Sequence, residues 1–332
     1  MTVGDLSTLL VWAAGLTYTI AFVSYTIVLA RVAEGRPRAA KNPVETATAV
    51  GRGGLAVLDR PSVAAVGSGG AAISVPPASA GRKAAGIARS MTYLGVVLGI
   101  VAIVLRGVAA GRWPTANMYE FTLVGSTVAI GVLILVQRRQ PIAFLGVLVT
   151  GFALLALFLG VNVFYVQADG VQPALQSYWL VIHVGVAITA TGIFAVAAAT
   201  SVVQLLRGAR DHGAVRLAGR RWAWIDTVPD VRSLEALSFR LNAIGFVLWT
   251  FTLIAGAIWA EHAWGRYWGW DPKEVGTFVA WVVYAAYLHA RTTRGWAGTR
   301  AAYFVLVGFT TVLANFTVIN LFVTGKHSYS GL

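Results

Sequence analysis

Eight runs of apolar residues, most of them about twenty residues long, dominate this sequence of 332 amino acids. A run of that length spans the hydrocarbon core of a bilayer, where only a helix satisfies its own backbone within one segment. The chain is therefore predicted to be an all-α polytopic membrane protein with about eight transmembrane helices, near residues 8–30, 91–110, 119–137, 141–161, 179–206, 241–259, 275–290 and 300–324. Charged residues make up only 12% of the chain, which excludes an ordinary cytosolic protein.

The basic residues indicate the orientation of these helices. Loops 31–90 and 207–240, with the residues after the third and seventh helices, carry most of the 26 lysines and arginines. The positive-inside rule predicts these loops in the cytoplasm and both termini outside. The net charge of +13 then follows from topology and requires no nucleic-acid partner.

Three segments follow from this pattern. Residues 1–30 are predicted to form a first transmembrane helix. A cleaved signal peptide would begin with basic residues, and none precedes Arg31, so this helix is expected to be retained. Residues 43–88 are rich in Ala, Gly, Ser, Val and Pro and show no helical periodicity, so residues 31–90 are predicted to form a flexible basic cytoplasmic linker. Residues 91–332 form the remaining membrane domain.

A tryptophan-rich segment at 259–274 is predicted to be a loop on the outer face. It contains four of the twelve tryptophans, namely Trp259, Trp264, Trp268 and Trp270. One interpretation is an aromatic belt at the membrane interface. The other is a platform for a broad, planar, apolar ligand, because Gly265 and Gly269 allow close approach of the backbone. Asp271, Pro272 and Glu274 predict a capping box at the start of the seventh helix, so that Asp271 sets the geometry of the loop.

Two histidines are expected at the depth of this loop. His183 begins the fifth helix and His327 follows the eighth, both at the outer face. They suit a bis-histidine haem site, since haem iron takes axial imidazoles and a porphyrin needs apolar walls; the alternative is a pair of solvated interfacial histidines. Arg266, inside the loop, is the best candidate cation for the haem carboxylates.

The remaining histidines differ in depth. His289 lies about 20 Å along the seventh helix toward the inner side. It is either an interfacial residue or the ligand of a second site, in which case the opposite ligand must come from a partner protein. His262 is either a ligand or one of the polar residues of the loop, and His212 is predicted to be a solvated surface residue.

The segment Trp264-Gly-Arg-Tyr-Trp268-Gly-Trp270-Asp271-Pro-Lys-Glu resembles the WWD signature of haem-handling proteins. Residues 91–332 resemble the CcsA/ResC subunits of the System II cytochrome c synthase, called CcsB in actinobacteria. Further parts of this resemblance are Pro114, Asn117, Tyr119, Glu120, the run from Tyr178 to His183, the run from Leu288 to Arg291, and the closing segment from Gly325 to Tyr329.

The resemblance implies a function and its residues. It implies that His183 and His327 ligate the iron of an outer haem b, carried as cargo, and that His289 receives haem on the cytoplasmic side opposite a ligand from the Ccs1/ResB subunit. His262 matches no family ligand. The WWD tryptophans, Asp271 and Arg266 then belong to the outer site.

The expected activity is that of one subunit of a cytochrome c haem lyase (holocytochrome c synthase) complex. It presents haem at the outer face of a bacterial plasma membrane for thioether attachment to Cys-x-x-Cys-His apocytochromes. Thiol-reducing thioredoxin-like proteins are possible further partners. The alternatives are a System I haem transfer or lyase protein and a membrane transporter unrelated to haem.

Overall fold

The computed structural model describes residues 1–34, 79–139, 142–170 and 177–327. Eight long helices and no strand occur in these ranges. The helices are α1 (Val3–Glu34), α2 (Ser79–Ala110), α3 (Met118–Arg139), α4 (Ala143–Asn162), α5 (Tyr178–Asp211), α6 (Val231–Trp264), α7 (Pro272–Thr293) and α8 (Thr299–Phe322). Two 3₁₀ segments, Val215–Leu217 and Arg220–Thr227, connect α5 to α6. The prediction of a polytopic α-helical membrane protein is confirmed.

Seven of the eight described helices are long and apolar enough to cross a membrane, and α7 is the exception. The sequence explains why, since α7 carries Lys273, Glu274, His289 and Arg291 within 22 residues. All eight predicted helices are present in the described residues, but by length and hydropathy only seven of them are long and apolar enough to cross a membrane.

The predicted boundaries were too narrow at several helix ends. Residues 79–90 were assigned to the linker, but they form the first three turns of α2. This part of the assignment is wrong because the segment contains Ala80, Ala84, Ala85 and Ala88, which favour a helix. The linker residues 35–78 lie outside the described ranges.

Helix α5 joins two apolar cores. One core lies among α1 to α5 and the beginning of α6, and includes Tyr18, Leu123, Leu145 and Val196. The other lies among α5 to α8 and is built around Phe194, whose ring stacks on that of Tyr284 with centroids 3.9 Å apart. Residues 190–203 of α5 contribute to both cores, so this part of the helix packs against both halves of the bundle.

The helix ends define two faces of the molecule. The C-terminal ends of α1, α3, α5 and α7 lie at the face named here the basic face. The opposite face, named here the cavity face, contains the ends of α2, α4, α6 and α8. Gly4 of α1 lies there, near Ala109 of α2 and Ala168 after α4. His183 and the tryptophan-rich segment therefore lie at one face, as expected from the sequence.

Candidate functional site

A cavity opens at the cavity face among α3, α5, α6, α7 and α8. It encloses about 1240 Å³ of space, including its open mouth, and most of its lining is apolar. His183 and His327 both line it, although 144 residues separate them in the sequence. Other lining residues are Asn117, Met118, Phe121, Val184, Trp249, Thr252, Gly256, Trp259, Trp268, Lys273, Glu274, Asn315 and Phe316.

The His183 imidazole is fixed through one ring nitrogen. Its Nδ1 lies 2.9 Å from the carbonyl oxygen of Thr252 on α6. A carbonyl oxygen only accepts hydrogen bonds, so Nδ1 carries the proton and donates it. The Nε2 lone pair is then left for a ligand, which is the usual arrangement of a metal-binding histidine.

Gly256 makes this position of His183 possible. A Cβ atom at residue 256 would lie 2.6 Å from Cε1 and 2.8 Å from Nδ1 of His183. The imidazole therefore occupies the space that any other residue would fill with its side chain. A glycine inside an apolar helix often marks such a close approach.

His327 has the same arrangement, with a carboxylate as its partner. Its Nδ1 lies 2.8 Å from Oδ1 of Asp271, and the backbone N–H of Lys326 donates to Oδ2 of Asp271 at 2.6 Å. Burial lowers the pKa of His327 below its usual range, although the hydrogen bond to Asp271 acts in the opposite direction. The neutral imidazole donates from Nδ1 and keeps its Nε2 lone pair.

Asp271 also begins α7. It accepts a hydrogen bond from the N–H of Lys273, and Oε2 of Glu274 accepts from the N–H of Asp271 at 3.0 Å. The predicted capping box with Pro272 at the first helical position is confirmed. Burial raises the pKa of Asp271, but the hydrogen bonds from His327 and the backbone outweigh it, so the net pKa lies below the usual value.

The four tryptophans do not form one loop. Trp259 and Trp264 belong to the last turns of α6, so the predicted loop 259–274 is shortened to residues 265–271. The helix extends through this part because no Gly or Pro interrupts residues 257–264, and it ends at Gly265, whose φ is 68°.

The Trp259 ring contacts both cavity histidines. Its ring is 1% exposed and nearly parallel to that of His183, with centroids 6.2 Å apart, and it lies 5.6 Å from His327. Trp264 contacts His327 edge to face at 4.8 Å, and the cations of Arg266 and Lys326 lie within 6 Å of its ring. These two indoles hold the His327 side of the site.

Trp268 and Trp270 stand at the outer surface instead. Their rings meet edge to face at 5.8 Å, and Trp270 is 77% exposed. Trp270 has a φ of 58°, a left-handed conformation that is unusual for a large side chain. Of the four tryptophans, Trp259 and Trp268 line the cavity.

Two cations near the cavity have different surroundings. The guanidinium of Arg266, the predicted partner of the haem carboxylates, packs against Gly269 and Trp264 and does not line the cavity. Lys273 does line it, and its Nζ donates to the carbonyl oxygen of Asn315 at 2.8 Å and to Oδ1 of Asn320 at 3.0 Å. Both acceptors are neutral, and burial lowers the pKa of Lys273 to about 7, so a carboxylate bound in the cavity would favour its charged form.

A buried ionic cluster holds the wall formed by residues 115–118. Glu120 is fully buried, and its carboxylate pairs with Arg106 at 3.1 Å and with Arg112 at 2.7 Å. It also accepts the N–H of Ala116, while Asn117 accepts the N–H of Glu120. The cluster thus fixes the start of α3 beside the cavity.

The other histidines lie apart from the cavity. His289 is exposed on α7 near the basic face, and its ring makes no hydrogen bond within the described residues. His262 is exposed and its Nδ1 lies 2.8 Å from the carbonyl oxygen of Ile258. His212 is exposed at the end of α5. Neither His262 nor His212 is among the residues that line the cavity.

Sequence reasoning missed several residues of the cavity. The sequence predicts no role for Gly256, Thr252 or Asn315, and it predicts Arg266 rather than Lys273 as the cation of the site. The glycine gave a usable signal, because it stands three residues before Trp259 in an otherwise apolar helix. Thr252 contacts His183 through its backbone carbonyl, which every residue has, so the amino acid at position 252 does not reveal this contact.

His183 and His327 each engage Nδ1 in a hydrogen bond, which leaves Nε2 of both rings for a ligand. No group of three or more His, Asp or Glu side chains that would hold a metal ion occurs in the described ranges. Two imidazoles with free Nε2 atoms instead fit an iron that already has four porphyrin ligands. Fold and site thus define a polytopic helical membrane protein with a cavity lined by histidines and indoles.

Comparisons with known proteins identify the family. The cytochrome c assembly protein family matches residues 115–327. The chain is 32% identical over 267 residues to the cytochrome c biogenesis protein CcsA of Prochlorococcus marinus (strain MIT 9515), covering 75% of this chain and 85% of that one. It is 31% identical over 257 residues to CcsA of Chlamydomonas reinhardtii, covering 74% and 69%. The chain belongs to the cytochrome c assembly protein family, and within it to the CcsA type.

A solved structure shares the fold. The cytochrome c haem lyase CcmF superposes with a TM-score of 0.62 at 15% identity, over 100% of this chain and 49% of that protein. This chain therefore spans about half the length of that lyase.

Proposed function

We propose that this chain holds haem b, as cargo, between His183 and His327 and presents it for attachment to apocytochrome c. The observation that carries the proposal is shared by both histidines: each imidazole donates from Nδ1 to a fixed oxygen, which leaves Nε2 for the iron. The cavity between them has aromatic and aliphatic walls suited to a porphyrin.

Attachment requires only positioning in this site. A cysteine thiol adds across a haem vinyl group, so that a C–S bond forms and the thiol hydrogen goes to the other vinyl carbon, without net oxidation. Holding the vinyl edge at the mouth beside Trp268 and Trp270 brings it to the docking apocytochrome, which lowers the barrier by proximity. A Cys-x-x-Cys-His segment supplies both thiols.

His289 serves a second haem position near the basic face. Its exposure on α7 leaves room for a ligand from another chain, and Ccs1/ResB is the proposed partner. Together the two chains would form the haem lyase complex, with thioredoxin-like proteins keeping the apocytochrome thiols reduced.

The test is the haem content of the protein purified with its partner from haem-replete cells. A pyridine haemochrome assay on the wild type is expected to show haem, with a low-spin spectrum from two axial imidazoles. His183→Ala and His327→Ala are expected to lose the outer haem and thioether formation, whereas His262→Ala keeps both. Wild-type protein without haem, or covalent cytochrome c formed normally by the double alanine variant, would refute the proposal.

We also propose that the cavity face is extracytoplasmic in a bacterial plasma membrane. The chain contains no cysteine, so single cysteines report accessibility directly. Trp113→Cys at the cavity face and Val215→Cys at the basic face are both highly exposed positions. A membrane-impermeant maleimide applied to intact cells is expected to label the first and not the second, and the reverse pattern would contradict the orientation.

A further inference from the structure

A second recess lies at the basic face, between α2 and α3. It encloses about 780 Å³, including its opening, and is lined by Arg89, Thr92, Tyr93, Ile134, Gln137 and Arg138. It is separate from the haem cavity because it shares no lining residue with it. The haem-handling proposal does not use it.

The walls of the recess are cationic and its interior is hydrogen-bonded. Arg89 and Arg138 are exposed, and neither forms an ion pair within the described part of the chain. The Tyr25 hydroxyl donates to Oε1 of Gln137 at 2.9 Å and accepts from Thr92 at 3.3 Å. No Asp or Glu is among the described residues that line the recess, so its wall carries two arginines and no acidic side chain.

The depth of these arginines matches that of lipid headgroups. Arg89 stands two residues before the apolar run 91–110, and Arg138 directly follows the run 119–137. The ends of these two apolar runs predict both arginines at the boundary between hydrocarbon and water. A soluble anion has no reason to prefer this depth, whereas the phosphate of a phospholipid resides there.

An apolar track continues from the recess along α2. One face of this helix exposes Val97, Ile100, Val104 and Val108, each between 50% and 64%, and Tyr93 begins the same face. The spacing of three and four residues places these side chains in one line. A headgroup in the recess would have its acyl chain against this line.

We propose that the recess binds the phosphodiester headgroup of an anionic phospholipid from the leaflet at the basic face. Arg89 and Arg138 pair with the phosphate and the exposed face of α2 contacts the acyl chain. This site is independent of the haem cavity and of the proposed function.

This proposal is tested by native mass spectrometry. The purified complex is titrated with phosphatidylglycerol or phosphatidylcholine, and the affinity for each lipid is measured. Wild-type protein is expected to prefer phosphatidylglycerol. Arg89→Gln combined with Arg138→Gln is expected to lower the affinity for phosphatidylglycerol about 30-fold, about fivefold for each guanidinium near an anionic surface. The control pair Arg139→Gln with Arg300→Gln removes the same charge from the same face outside the recess, and is expected to lower the affinity less than the recess pair does.

Three results would overturn the proposal. Equal losses in the two glutamine pairs would mean that the whole basic face attracts anions. Displacement of bound lipid by an equal concentration of glycerol phosphate would mean a site for soluble phosphate. The double variant Arg89→Lys with Arg138→Lys keeps both positive charges and replaces the glutamine pair in the comparison if the glutamine pair does not fold. A lysine pair that binds phosphatidylglycerol no better than phosphatidylcholine would also contradict the proposal.

Discussion

The carboxylate of Asp271 accepts a hydrogen bond from Nδ1 of His327 at 2.8 Å, although 56 residues separate the two. The same carboxylate accepts the N–H groups of Lys273 and Lys326. The beginning of α7 and the segment after α8 are therefore held together by one acidic side chain, and the orientation of the imidazole depends on it.

Replacing Asp271 by Asn is expected to reduce haem retention about tenfold, which is the usual scale of losing a carboxylate behind a metal-bound histidine. An amide has one acceptor oxygen, so its NH₂ group must face either the N–H of Lys326 or the donor of His327. Haem content and the low-spin spectrum of the purified protein measure the effect. The matched control is Glu261→Gln, because Glu261 contacts the exposed His262 at 3.2 Å. Equal losses in both variants would contradict a specific role of Asp271.

Gly256→Ala is expected to displace the His183 ring and remove low-spin haem, because the new methyl group would lie 2.6 Å from Cε1 of His183. Gly185→Ala is the control on the helix that carries His183, since nothing lies within 4 Å of a Cβ there. Absorption spectra of the two variants after identical purification provide the comparison. Normal low-spin haem in the folded Gly256→Ala protein would show that His183 is not the ligand.

Lys273→Met is expected to weaken binding of haem more than binding of haem dimethyl ester, because only free haem carries carboxylates for the cation to pair with. Arg266→Met tests the cation predicted from the sequence in the same way. Titration of both variants with both porphyrins gives four affinities. The structure favours the larger selective loss for Lys273, which lines the cavity, and a selective loss confined to Arg266→Met would reverse that assignment.

Trp270→Gly is expected to lower thioether yield while leaving haem content unchanged. The loss of yield is expected because the exposed indole of Trp270 contacts Trp268 at the mouth of the cavity. The fold is expected to be kept, because glycine adopts the left-handed backbone conformation of residue 270 without the cost of about 1 kcal/mol that tryptophan has there. Haem staining of the apocytochrome product and haem content of the purified protein separate the two effects. Trp113→Ala is the control, an indole 70% exposed at the same face; an equal loss of yield there would indicate a general surface effect.

Glu120→Gln is expected to destabilise the protein by about 3–5 kcal/mol, because it leaves the buried guanidinium of Arg106 without a counter-charge. The free energy of unfolding in mild detergent measures this. Asp211→Asn removes an exposed partner of Arg207 and is expected to cost less than about 1 kcal/mol. Similar costs in both variants would mean that the cluster does not secure the start of α3.

The sequence predicts the helices well because the length of an apolar run follows directly from bilayer thickness. It also predicts the capping box at Asp271, because this motif depends only on residues 271–274 and their spacing. The extensions of α2 to Ser79 and of α6 to Trp264 were missed, because helical structure continues beyond the membrane where residues such as Ala84 and Ala260 favour it.

Prediction of the site was limited by contacts that are distant in sequence. His183 and His327 were found from their residue type and depth, and the structure places both in one cavity. The same reasoning preferred Arg266 over Lys273, because position within the signature says nothing about which way a side chain points. Whether either cation meets a haem carboxylate remains a prediction.

The double use of Asp271 limits which amino acids are tolerated at that position. Serine and threonine start helices well but have no second oxygen for a distant imidazole, and glutamate has two oxygens on a stem too long to close the first turn. Residue 271 is therefore expected to change more slowly during evolution than the tryptophans around it. Other aromatic residues can replace an indole, whereas no other residue offers two acceptor oxygens on a side chain as short as that of aspartate.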